Sequence, residues 1–146
     1  MSPVEFHIVP GGFDPLMLGM TRDEIDAALG ETGKPDGEGH PGEPAFVYET
    51  ASGRVVLREG RAVELALWPP AQVAFNGRAL FGSPDVWREI LAADGDPHET
   101  FGFLVLRNLG LTLTGFHDDD PSQLAVTAFE PGRWDAVASG MTPFRL

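Results

Sequence analysis

The sequence predicts an α+β protein built from two similar units, each a short capped helix followed by an antiparallel meander of about three strands. Three observations carry that expectation. Helix-start grammar occurs twice, at Thr21 and at Ser83-Pro84. Each start leads into apolar residues at helical spacing. Each helix is then followed by short apolar runs separated by Gly-containing turns, the pattern of a strand meander.

Val4 to Val9 reads as a first strand, ended by Pro10-Gly11-Gly12. Met20-Thr21-Arg22-Asp23-Glu24-Ile25 then combines a hydrophobic staple with a capping box. Thr21 caps the helix, and Asp23 and Glu24 complement its dipole. Ile25, Ala28 and Leu29 form its apolar face, and Gly30 ends it in a left-handed conformation. Residues 31–44 are so rich in Gly and Pro that a mobile loop is expected. Strands follow at Ala45 to Thr50, Arg54 to Arg58 and Arg61 to Trp68, with turns at Ala51-Ser52-Gly53 and Glu59-Gly60. Along the third, Val63, Leu65 and Leu67 share one face; Glu64, Ala66 and Trp68 share the other. Val73 to Phe75 adds a short strand that turns at Asn76-Gly77.

The second unit opens with Ser83 as N-cap and Pro84 at the first helical position. Trp87, Ile90 and Leu91 form its apolar face, and Gly95 closes it. Strands are expected at Phe101 to Arg107, Leu109 to Thr114 and Leu124 to Phe129. Aligning Thr21 with Ser83 places Ile25 on Trp87, Ala28 on Ile90 and Leu29 on Leu91. An internal pseudo-repeat over 13–79 and 80–130 follows, within a single compact domain over 1–146. The segment 131–146 holds Trp134, Met141, Phe144 and Leu146, which would be costly to leave in water, so it is expected to dock on the body.

Composition narrows the function. The chain has 22 acidic and 10 basic residues, a formal charge of −12, and the excess is spread over both halves. Such a field repels nucleic-acid backbones and anionic membranes and favours a basic protein partner. There is no cysteine, which removes disulfides, thiolate catalysis and sulfur-based zinc sites. No basic segment followed by a long apolar run opens the chain, so cytoplasmic residence is the expectation.

Leu18-Gly19-Met20-Thr21-Arg22-Asp23-Glu24-Ile25, followed by Ala28-Leu29-Gly30, resembles the "LGMT..EV...LG" motif of small bacterial helix-plus-sheet modules. These include the outer-membrane assembly lipoprotein family and the tandem modules of beta-lactamase inhibitory proteins. The chain also resembles an actinobacterial family with "PG.G...L.LGMT" and "V.F.G..LFG.P"; the second pattern here is Val73 to Pro84. The resemblance implies a tandem helix-plus-meander architecture. The lipoprotein cysteine and the paired cysteines of the secreted inhibitors are both missing. Some small acidic proteins of this kind sit beside secreted toxins as immunity proteins, so the resemblance implies that role as an expectation.

No catalytic pattern stands out. His7, His40, His98 and His117 lack metal-ligand spacing, and no serine sits in G-x-S-x-G. No catalytic residue, cofactor or metal site is therefore assigned. The expected function is non-catalytic protein binding, of an inhibitor or toxin-immunity kind. Two alternatives remain: a small enzyme or ligand-binding domain with a site between the halves, or an accessory domain of a larger assembly. For binding, the candidates are the aromatics of the meanders: Tyr48 and Trp68 in the first, Phe101 or Phe103 with Phe116 in the second. The acidic run Asp118-Asp119-Asp120 joins them as a contact patch for a basic partner.

Overall fold

The computed structural model describes residues 4–146. Strand β1 (Glu5–Val9) folds back through β2 (Gly12–Asp14) and β3 (Leu16–Met17) before helix α1 (Arg22–Leu29). Then come β4 (Lys34–Glu38), β5 (Pro44–Tyr48), β6 (Gly53–Arg58) and β7 (Arg61–Leu67), and the hairpin β8 (Gln72–Phe75) with β9 (Arg78–Ala79). Helix α2 (Val86–Asp94) leads to β10 (His98–Thr100), β11 (Phe103–Leu106), β12 (Leu111–Thr114) and β13 (Ala125–Phe129). A short 3-10 segment, Asp135–Gly140, precedes β14 (Thr142–Pro143).

Each half is thus a helix followed by a meander, as the residue pattern implies, but each meander has four strands rather than three. They join along their last strands into one nine-stranded sheet, in the order β4-β5-β6-β7-β13-β12-β11-β10-β14. At the seam Leu67 faces Val126 and Leu65 faces Ala128. A five-stranded sheet, β3-β2-β1-β8-β9, is closed by a parallel pairing of β1 with β8 that sets Phe6 opposite Val73.

Helix α1 forms as its sequence dictates. The Thr21 hydroxyl accepts the Glu24 amide at 3.3 Å, while Glu24 Oε1 accepts the Thr21 amide at 3.0 Å. Those bonds from Thr21, the backbone one foremost, hold the Glu24 carboxyl below the usual carboxylate range. Gly30 takes the left-handed conformation at φ 67. Helix α2 begins later than its cap grammar suggests. Asp85 is its N-cap without a side-chain bond, while the Ser83 hydroxyl accepts the Asp85 and Val86 amides at 3.2 and 3.3 Å. The aligned helix positions all turn inward: Ile25, Trp87, Ile90 and Leu91 are buried, and Ala28 and Leu29 pack against them.

One apolar core fills the space between the inner face of the large sheet, both helices and the small sheet. It contains Phe6 and Phe13, Ile25, Leu57, Leu65 and Leu67, Leu104 and Leu106, and Leu111 and Leu113. The outer face carries two smaller clusters. Ala45, Val56 and Val63 form the first; Val105, Phe129 and Met141, with Phe103 and Trp134 against them, form the second.

Three sequence expectations are corrected. The segment expected to be a mobile loop contains β4, an edge strand whose five residues are all exposed. An edge tolerates Pro and Gly because one side of its backbone needs no ladder partner. Val63 does not share a face with Leu65 and Leu67. A bulge against β6 pairs Val56 with Glu64 and Leu57 with Ala62, which leaves Val63 as the extra residue and turns it outward. The strand expected over Phe101 to Arg107 breaks at its first residues, since Phe101 and Gly102 are a turn.

Among the described residues, no helix is long and apolar enough to cross a membrane.

Candidate functional site

The β10–β11 hairpin sets Thr100 opposite Phe103, so only Phe101 and Gly102 turn the chain. Both have positive φ, 51° and 82°. The same backbone occurs at Glu59-Gly60 (52° and 78°) and at Asn76-Gly77 (50° and 79°). Two-residue turns of this hand favour Asn or Asp followed by Gly, because most other side chains clash with their own backbone there. A left-handed bulky residue costs about 1–2 kcal/mol. Phe101 recovers none of that by burial, for it is 84% exposed.

Beside the tip runs the 3-10 segment, with Val137 at 39% exposure. Phe101 and Val137 line one shallow groove of about 580 Å³, with Ala136, Gly140 and Glu99. The ground beneath is firm. Trp134 packs against Phe103 at 5.4 Å and Phe129 at 6.3 Å between ring centroids, and Met141 is buried beside them. The 131–146 segment therefore rests on the outer sheet face through Trp134 and Met141, while β14 extends the sheet alongside β10.

A second lock holds the outer face. Arg133 is almost fully buried and donates to Glu43 at 2.8 and 3.2 Å and to Glu64 at 3.3 Å. Arg58 pairs with Glu130 nearby. The Arg133 guanidinium, helped by the His40 amide, holds the Glu43 carboxyl down at about 2.

The residues singled out from sequence are scattered. Tyr48 lies in the inner core, where its hydroxyl donates to Asp26 Oδ1 at 2.5 Å. Burial and that carboxylate push the phenol well above its usual range. Tyr48 therefore offers nothing to a partner. Trp68 is half-buried at the end of β7, on the outer side by alternation. Phe103 is half-buried beneath the tip. Phe116 is on the helical side, stacked on Phe81 at 6.0 Å. Asp118 and Asp119 are exposed, whereas Asp120 caps a 3-10 turn by accepting the Ser122 amide at 3.1 Å. Phe101 and Phe103 were alternatives in the sequence; the turn sends Phe101 out and Phe103 in. The readable signal was Phe-Gly just ahead of the apolar run Phe103 to Leu106, a hairpin position that normally takes Asn-Gly.

Among the described residues, no group of three or more His, Asp and Glu is placed to hold a metal ion. No family model, curated protein or solved structure matches the chain.

Proposed function

We propose that the chain is a non-catalytic protein-binding module, of an inhibitor or toxin-immunity kind, whose contact centres on Phe101. One observation carries this reading: a bulky aromatic, 84% exposed, stands on a hairpin tip in a backbone conformation that disfavours it. Exposed strain of this sort clusters at functional positions. Buried aromatics anchor interfaces, and a ring already held outside costs little ordering on binding. The formal charge of −12 supports a basic partner, drawn in by the field and seated by the ring. Glu99, in the same groove as Phe101, adds a local acid. The internal pseudo-repeat and the likeness of Leu18 to Gly30 to the inhibitory-protein modules belong to the same proposal. The two helices, each ahead of a four-stranded meander, support it.

The test is affinity capture from the native organism's lysate on two columns, the wild-type chain and Phe101→Asn, each washed at low and high salt. A single basic protein held near stoichiometry by the wild type, weakened by salt and lost on the variant, is the expected outcome. A partner held equally by both columns would place the contact elsewhere.

A further inference from the structure

A second cleft lies on the helical side, away from the Phe101 tip. It measures about 690 Å³, within the size range of small-molecule sites. Helix α2 contributes Trp87 and Arg88, the β12–β13 connection contributes Phe116 and His117, and the final segment contributes Phe144 and Arg145.

Charge makes this cleft unusual for the molecule. Most cations of this acidic chain are already engaged. Lys34 pairs with Glu49, Arg54 with Asp36, Arg58 with Glu130, Arg78 with Glu89, and Arg133 with Glu43. Arg22 and Arg61 donate to the Gly33 and Gly19 carbonyls. Among the described residues, neither Arg88 nor Arg145 meets a carboxylate. Both line this cleft, with Leu146 beside Arg145; the one side-chain carboxylate in the lining, Asp119, is exposed.

The aromatic wall is ordered. Phe116 is backed by Phe81 and lies 6.4 Å from Trp87 between ring centroids. The Arg88 guanidinium sits 4.8 Å over the Trp87 ring, which positions it while leaving its N–H edges free to donate. His117 gives an independent sign of an incomplete site. Its side chain is only 9% exposed, and Glu99 takes Nε2 at 2.9 Å. Its Nδ1 is buried with no partner at all. Buried polar atoms of that kind are rare and call for a missing partner.

We propose that this cleft binds a small planar aromatic acid. Its ring rests on the open part of Phe116, and its carboxylate, phosphate or sulfonate is held by Arg88 and Arg145. Guanidinium groups suit such anions because their N–H bonds match the spacing of the oxygens. The cleft adjoins the protein contact proposed above only through Glu99, which lines that groove and pairs with His117 here.

Two fluorescent probes test it: anilinonaphthalene sulfonate, and its uncharged parent N-phenylnaphthylamine. Each is titrated into the wild-type chain and into the double variant Arg88→Gln/Arg145→Gln. The variant gives up the Arg88 contact with Trp87 but no ion pair, so it is expected to stay folded and to melt only a few degrees below the wild type. The sulfonate is expected to bind one per chain and to weaken at least about tenfold in the variant, with the uncharged parent unchanged. No binding of the sulfonate, or equal binding to both proteins, would overturn the proposal.

Discussion

Arg133 and Glu43 lie 90 residues apart in the chain, yet their side chains close a two-bond fork on the outer face of the large sheet. The fork ties the segment after β13 to the loop before β5, and so fastens the two meanders together on the side opposite the helices. Glu64, which faces outward by alternation with Leu65, adds a third bond.

The fork makes stability depend on acid. The folded chain keeps Glu43 ionised down to about pH 2, whereas the unfolded carboxyl takes its proton near 4.5. Between those values the unfolded state binds more protons, so stability falls as pH is lowered through that window and is flat above it. The loss is on the order of 3 kcal/mol. Urea midpoints at neutral, mildly acidic and strongly acidic pH should show the decline, and Glu43→Gln should remove the part due to this carboxyl, leaving a smaller slope from Glu24. That variant should also cost about 3 kcal/mol at neutral pH, because it leaves Arg133 buried with only Glu64.

Tyr48 and Gly33 form a second tight point. A Cβ on Gly33 would stand 2.6 Å from the Tyr48 ring. Gly33→Ala should therefore destabilise by about 2 kcal/mol, through overpacking. Tyr48→Phe should cost about 1 kcal/mol, since Asp26 Oδ1 keeps the Gly33 amide at 3.2 Å. Calorimetric unfolding of the two variants should rank them in that order.

The helix starts separate by geometry. Thr21→Ala removes the hydroxyl half of the capping box and should cost about 1 kcal/mol. Ser83→Ala removes two bonds of similar length, to the Asp85 and Val86 amides, with no reciprocal carboxylate, and should cost about 0.5 kcal/mol. Equal losses in chemical denaturation would mean that Ser83 caps α2 as strongly as Thr21 caps α1.

What the sequence disclosed and what it hid follow one division. Helix α1 was legible because its cap, staple and Gly30 lie within about three turns of one segment. The β6–β7 and β8–β9 hairpins were legible because Glu59-Gly60 and Asn76-Gly77 are local signals. Strand β4 was not, since an edge needs no apolar alternation, and Lys34 to Glu38 is wholly exposed. The β1–β8 and β7–β13 pairings join residues distant in sequence, and no local pattern announces them. Tyr48 and Phe101 show the same limit at the level of sites. Both are aromatics of a meander; only the strand break at Phe101 and the Asp26 carboxylate under Tyr48 decide which one meets solvent.

The central claim is that Phe101 is kept for contact and against stability. The most direct measurement is the unfolding free energy of Phe101→Asn beside the wild type, by urea denaturation at neutral pH. Asn suits the left-handed turn, as Asn76 does in the same chain, and little burial is lost with the ring because Phe101 is 84% exposed. A gain of about 1 kcal/mol is expected. An unchanged or lower stability would show that Phe101 serves the fold, and would remove the ground on which the binding role stands.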